Sequence, residues 1–80
     1  MTVTVLLFAS YAEKLGRRSI GLEMPAGSTV RTVLDEIGRM PGADALPATP
    51  LVAVNRSYAR AGDTVADGDE IAIIPPVAGG

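Results

Sequence analysis

Glu70-Ile71-Ala72-Ile73-Ile74-Pro75-Pro76-Val77-Ala78-Gly79-Gly80 closes the chain, and its pattern decides the fold. Ile71 and Ile73 fall on one face of a strand, Ala72 and Ile74 on the other. A strand that is apolar on both faces belongs at the centre of a sheet. Pro75 and Pro76 fix φ and offer no N–H to a ladder, so the strand is expected to stop there and launch an extended tail. Val77 to Gly80 would reach roughly 13–14 Å further at about 3.3–3.6 Å per residue. Glycine has no β-carbon, so a Gly80 carboxylate fits a slot too narrow for any other residue. A body with a thin, glycine-tipped arm has the shape of a carrier that delivers its carboxylate into another protein's active site.

The other elements assemble around that strand. Thr2 to Phe8 reads as a strand with Val3, Val5 and Leu7 on one face and Leu6 and Phe8 on the other, which also places it centrally. Ala9 to Leu15 is expected to form a short helix stopped by Gly16. Arg18 to Met24 alternates, with Ile20, Leu22 and Met24 pointing one way. Pro25-Ala26-Gly27 is a turn. Ser28 or Thr29 then caps the main helix, whose Val30, Val33, Leu34 and Ile37 follow the i, i+3, i+4, i+7 stripe. That helix ends between Gly38 and Gly42, and Asp44 to Pro50 reads as a loop. Leu51 to Val54 is a short strand, Asn55-Arg56 a turn and Ser57 to Ala59 a return strand. Asp67-Gly68 is the strongest turn signal before the last strand.

Strand, strand, helix and three further strands, with one apolar helix stripe to cover, predict an α+β roll. Its mixed sheet has about five strands, and one main helix covers one face. Phe8 and Ile74, on the other face, would then lie close together, joined by Tyr58. Two readings stand at this point: a docking surface near the exit of the tail, or side chains covered by loops.

Eighty residues, nearly half of them apolar, are expected to form one small domain, 1–80, with its tail at 75–80. Without cysteine there is neither a disulfide nor a thiolate site, and without histidine the commonest general base and metal ligand is missing. The net charge of −2 and seven scattered basic residues argue against nucleic acid as a partner. Val5 to Ala9 is the longest apolar run, so neither a membrane span nor a signal peptide is expected, and the location is expected to be cytoplasmic. Asp35 and Glu36 are helix neighbours and do not converge as a catalytic pair. Asp67, Asp69 and Glu70 read as a plain turn, so no metal site is expected. Lys14, the only lysine, reads as a solvated helix position.

The stretch Asp67 to Gly80 resembles the C-terminus of the small subunit of molybdopterin synthase. Val5-Leu6-Leu7-Phe8-Ala9 with Glu13 and Gly16, and Ala53-Val54-Asn55 before the last hairpin, resemble the same family. The resemblance implies a ubiquitin-like β-grasp fold and a sulfur carrier without catalysis of its own. It implies that an activating enzyme adenylates Gly80 with ATP and that a donor protein's sulfur then gives a thiocarboxylate. It further implies that the tail, Pro75, Pro76, Val77, Ala78 and Gly79, threads into the large synthase subunit. There the sulfur passes to cyclic pyranopterin monophosphate within a heterotetramer; the face of Phe8, Tyr58 and Ile74, placed by the element order, is the expected partner-binding surface. No cofactor is expected on the carrier itself. The chain departs from the family pattern at Ala12, often arginine, at Ile74, often aromatic, and near Tyr58, often leucine.

The chemistry suits a chain with so few reactive side chains. A carboxylate with a pKa near 3.5 is ionised at neutral pH and is a poor electrophile. Adenylation removes that charge and installs a leaving group, so the carrier itself needs no catalytic residue. The prolines restrict the tail before docking, which lowers the entropy lost on binding. Two other uses of such a tail stay open: sulfur carriage for cysteine, thiamine or tRNA thiolation, and ubiquitin-like attachment of Gly80 to lysines of other proteins. A third alternative is an interaction domain whose Gly-Gly end is inert.

Overall fold

The computed structural model describes residues 1–76. Along the chain run β1 (Thr2–Leu7), α1 (Ala9–Leu15), β2 (Ser19–Glu23) and α2 (Val30–Ile37). A 3-10 turn (Ala43–Ala45), β3 (Leu51–Val54), β4 (Ser57–Ala59) and β5 (Glu70–Ile74) follow. The five strands form one sheet in the order β2-β1-β5-β3-β4. β1 and β5 pair in parallel, and the other three pairings are antiparallel. The two strands that are apolar on both faces therefore lie inside the sheet, with β5 at its centre, as their pattern requires. α2 is the crossover from β2 to β3, which run parallel to each other with β1 and β5 between them.

The core sits between α2 and one face of the sheet. Val3, Val5, Ile20, Val52, Ile71 and Ile73 rise from the strands and are almost wholly buried. Val30, Val33 and Ile37 descend from α2 to meet them. Burying each such side chain contributes about 1.5–3 kcal/mol. Tyr11 of α1 and Val65 of the β4–β5 connection complete the cluster. Neither stands out in the sequence, because a seven-residue helix and an irregular loop carry little periodicity.

Thr29, one of two expected caps, starts α2. Its side chain accepts from the Thr32 N–H, and the Thr32 hydroxyl accepts from the Thr29 N–H in return. The next two helical donors are satisfied from a distance: Val30 N–H by the Asp63 carbonyl and Arg31 N–H by the Ala61 carbonyl, both at 2.9 Å. Val65 N–H donates to the Ser28 carbonyl at 2.9 Å, which seats Val65 in the core. The loop after β4 thus completes the helix N-terminus.

Three boundaries differ from the sequence reading. β1 stops at Leu7, because Phe8 turns out of the sheet as the N-cap of α1. β2 occupies only Ser19–Glu23 of the expected 18–24. Within the expected loop 44–50, the chain first makes the 3-10 turn at Ala43–Ala45, against which α1 packs. Gly42, at φ +89°, permits that packing: a β-carbon there would lie 2.0 Å from the Lys14 carbonyl oxygen.

Candidate functional site, an apolar groove beside the tail exit

Register builds the outer face of the sheet in two rows. Leu6 stands beside Ala72 across β1–β5, Ala72 opposite Ala53 across β5–β3, and Ala53 opposite Tyr58 across β3–β4. In the next row Ile74 pairs with Leu51. Two alanines at the middle of the first row, flanked by larger side chains, leave a hollow. It measures about 530 Å³ and is walled by Phe8, Ala53, Tyr58, Ala72, Ile74 and Pro75, with Arg56 at its edge.

Phe8 is 45% exposed, Tyr58 76% and Leu51 50%, and Ile74 is half-buried. Of the two readings of this face, the open surface is the one found: these side chains are not sealed under loops. Leu51 belongs to the same face and escaped the sequence reading, although its alternation with Val52 and its place on a strand could have revealed it. Pro75 forms part of the groove wall, so the chain leaves the sheet at the edge of the apolar surface. Pro76 is exposed beyond it. Val77, Ala78, Gly79 and Gly80, the remainder of the expected tail, lie outside the described residues.

A polar clasp holds the β3–β4 hairpin against β5 and so fixes the groove's far wall. Asn55 N–H donates to the Glu70 carbonyl at 2.8 Å, and Glu70 N–H donates to Asn55 Oδ1 at 3.0 Å. Asn55 Nδ2 donates to Asp69 Oδ1 at 2.9 Å, while Asp69 Oδ2 accepts from the Ala66 N–H at 2.7 Å. The Ala66 N–H, and after it the Asn55 amide, stabilise the ionised carboxylate and hold the Asp69 pKa below its ordinary 3.8. Asp67 accepts from the Thr2 N–H at 2.7 Å and ties the start of β1 to the same turn. These acids serve turns and strand ends. Among the described residues no three of His, Cys, Asp and Glu converge as a metal-binding group.

A second hollow, about 460 Å³, lies between α2 and residues 43–50, with Arg31, Leu34, Asp35 and Arg39 along it. It sits across the sheet from the tail exit. Among the described residues no helix is long and apolar enough to cross a membrane.

A mixed five-stranded sheet gripping one helix, with an open apolar face, defines a ubiquitin-like β-grasp protein. Residues 5–80 match the ThiS family, and the chain belongs to that family. It is 38% identical over 79 residues to the molybdopterin synthase sulfur carrier subunit of Arabidopsis thaliana, covering 98% of this chain and 82% of that one. The subunit of the same name from Chlamydomonas reinhardtii is 37% identical over 83 residues, covering all of both chains. Among solved structures, SAMP1 from Haloferax volcanii, a small archaeal modifier protein, superposes with a TM-score of 0.87 at 31% identity, over all of both chains.

Proposed function

We propose that this chain is the sulfur carrier subunit of a molybdopterin synthase, acting in the cytoplasm. The observation that carries the reading is the run of β5 into Pro75 and Pro76 at the rim of an open apolar groove, in a ThiS-family chain. Full-length identity to plant and algal sulfur carrier subunits supports the particular pathway. The groove, with Phe8, Tyr58 and Ile74, docks on the large synthase subunit, and the tail enters that subunit's active site.

The chemistry resides in the Gly80 carboxylate. A carboxylate oxygen attacks the α-phosphorus of ATP on the activating enzyme and pyrophosphate leaves. The terminal sulfur of a persulfide on the donor protein attacks the acyl carbon and AMP leaves, giving an acyl disulfide. A second thiol then attacks the donor's own sulfur, which closes a disulfide between the two thiols and releases the thiocarboxylate. The thiocarboxylate sulfur bonds to a carbon of cyclic pyranopterin monophosphate on the large subunit. Water then hydrolyses the resulting thioester, which leaves the sulfur on the pterin and returns the carboxylate to the carrier. The carrier contributes position: a rigid strand, two prolines and a docking face that aligns the tail.

Reconstitution tests this. Purified carrier, large subunit, activating enzyme, ATP and a sulfur donor are expected to convert cyclic pyranopterin monophosphate to molybdopterin. A carrier lacking Gly79 and Gly80 should give none while still unfolding at the same temperature. Full activity of that truncated chain would reject the carrier role. The likeness to the small archaeal modifier protein favours a second reading, in which Gly80 forms isopeptide bonds with target lysines. Covalent adducts that require Gly80 would identify it.

A further inference from the structure

The β3–β4 turn holds an arginine where the backbone favours glycine. Asn55 and Arg56 both have positive φ, +50° and +73°. Two such residues joining paired strands make the tight hairpin turn whose second position is characteristically glycine. Asparagine tolerates this region, but a long side chain there is strained. Strain kept at one position points to a use for that side chain.

The position of Arg56 indicates the use. It is exposed and borders the apolar groove, of which it is the one charged lining residue. Asp69 and Glu70 stand beside its neighbour Asn55; the Asp69 carboxylate is held by the clasp, and Glu70 joins the clasp through its backbone, its side chain forming no salt bridge with Arg56. Among the described residues Arg56 forms no salt bridge, and no hydrogen bond from its side chain is found. A guanidinium without a salt-bridge partner, lining an apolar groove at the end of β5 opposite the tail exit, is placed to meet a carboxylate on whatever covers that surface.

We infer that Arg56 is a specificity-determining contact: it selects a partner protein whose docking surface sets an Asp or Glu carboxylate beside the apolar side chains that fill the groove. This rests on the docking reading above and adds the chemistry of the partner. The rim charge steers encounter and fixes register, whereas the groove supplies most of the apolar contact.

The test measures binding of the purified large molybdopterin synthase subunit of the same organism to four carriers: wild type, Arg56→Gly, Arg56→Glu and Arg31→Gln. Arg31, on α2 across the sheet, controls for net charge. Arg56→Gly relieves the turn, so it should unfold at the same or a higher temperature while binding about tenfold more weakly at low salt. Most of that loss should fall on the association rate and shrink as salt is raised. Arg56→Glu should bind more weakly still, and Arg31→Gln should match wild type. Equal affinity of Arg56→Gly and wild type would overturn the inference and leave the docking reading intact. Equal losses for Arg31→Gln and Arg56→Gly would also overturn it, as an effect of net charge. Failure of the wild-type chain itself to bind would overturn the docking reading and the inference with it.

Discussion

Ile73 and Ile74 are chemical twins, adjacent on β5, and they face opposite worlds. Ile73 is wholly buried beneath α2, whereas Ile74 is half-exposed in the groove opposite Leu51. The two faces of the sheet divide accordingly. One is filled by Val3, Val5, Ile20, Val52 and Ile71 and is closed by a helix. The other keeps Phe8, Leu51 and Tyr58 open to solvent around two alanines. Apolar side chains are left uncovered at a cost in solubility, so a contiguous open patch beside the tail exit supports the proposal that this face docks a partner. The lesson is that hydrophobicity along a strand does not distinguish core from interface. The number of helices available to cover the sheet does.

The sharpest attack on this comparison is the pair of truncations. Ile73→Ala should lose about 2–5 kcal/mol of stability, through lost burial and a residual cavity. Ile74→Ala should lose less, about 1–2 kcal/mol, as expected for a partly buried position. Thermal or urea unfolding of the two variants decides the point, and equal losses would break the distinction between the faces.

Gly42→Ala asks whether the backbone packing outside the sheet matters as much as the core. With a β-carbon forced against the Lys14 carbonyl at positive φ, the loss should be about 1–3 kcal/mol in the same unfolding assay. Affinity per folded molecule for the large subunit should not change, since Gly42 lies away from the groove.

Phe8→Ala reverses that pattern. It should weaken binding to the large subunit by about tenfold or more, with a stability change near 1 kcal/mol or less. Titration calorimetry alongside thermal unfolding separates the two. A sharp fall in stability at normal affinity would return Phe8 to the core.

The smallest effect concerns the clasp. Because the folded Asp69 carboxyl titrates below its ordinary value, it adds stability at pH values above about 3.8. That contribution is lost as the pH falls from there through the lowered folded value. Asp69→Asn should therefore be slightly less stable at neutral pH and show a shallower acid decline than wild type, read by thermal unfolding between pH 7 and pH 3. Parallel acid profiles would remove Asp69 from the account.

Much of the architecture was legible because it follows from period. Alternation placed β1, β2 and β5, a short apolar run and the turn after it placed β3 and β4, the i, i+3, i+4, i+7 stripe placed α2, and double-sided strands marked β1 and β5 as internal. Facing also followed, since Phe8, Ile74 and Tyr58 meet on the outer face as parity required. What escaped depends on contacts between distant segments. Val65 is buried because its N–H reaches Ser28, Gly42 is required because Lys14 passes beside it, and Tyr11 fills a gap beside the core. None of these leaves a local pattern. Arg56 was visible only as a turn residue, because its significance lies in a positive φ and in a groove that pairing creates.

The account turns on the carboxylate at Gly80. Its most direct measurement is the intact mass of the carrier, and of its C-terminal peptide, after incubation with the activating enzyme, ATP and a sulfur donor. The account predicts the mass gain of one oxygen replaced by sulfur, localised to Gly80 and dependent on ATP. An unchanged mass, or Gly80 recovered only in isopeptide linkage to lysines of other proteins, would contradict it.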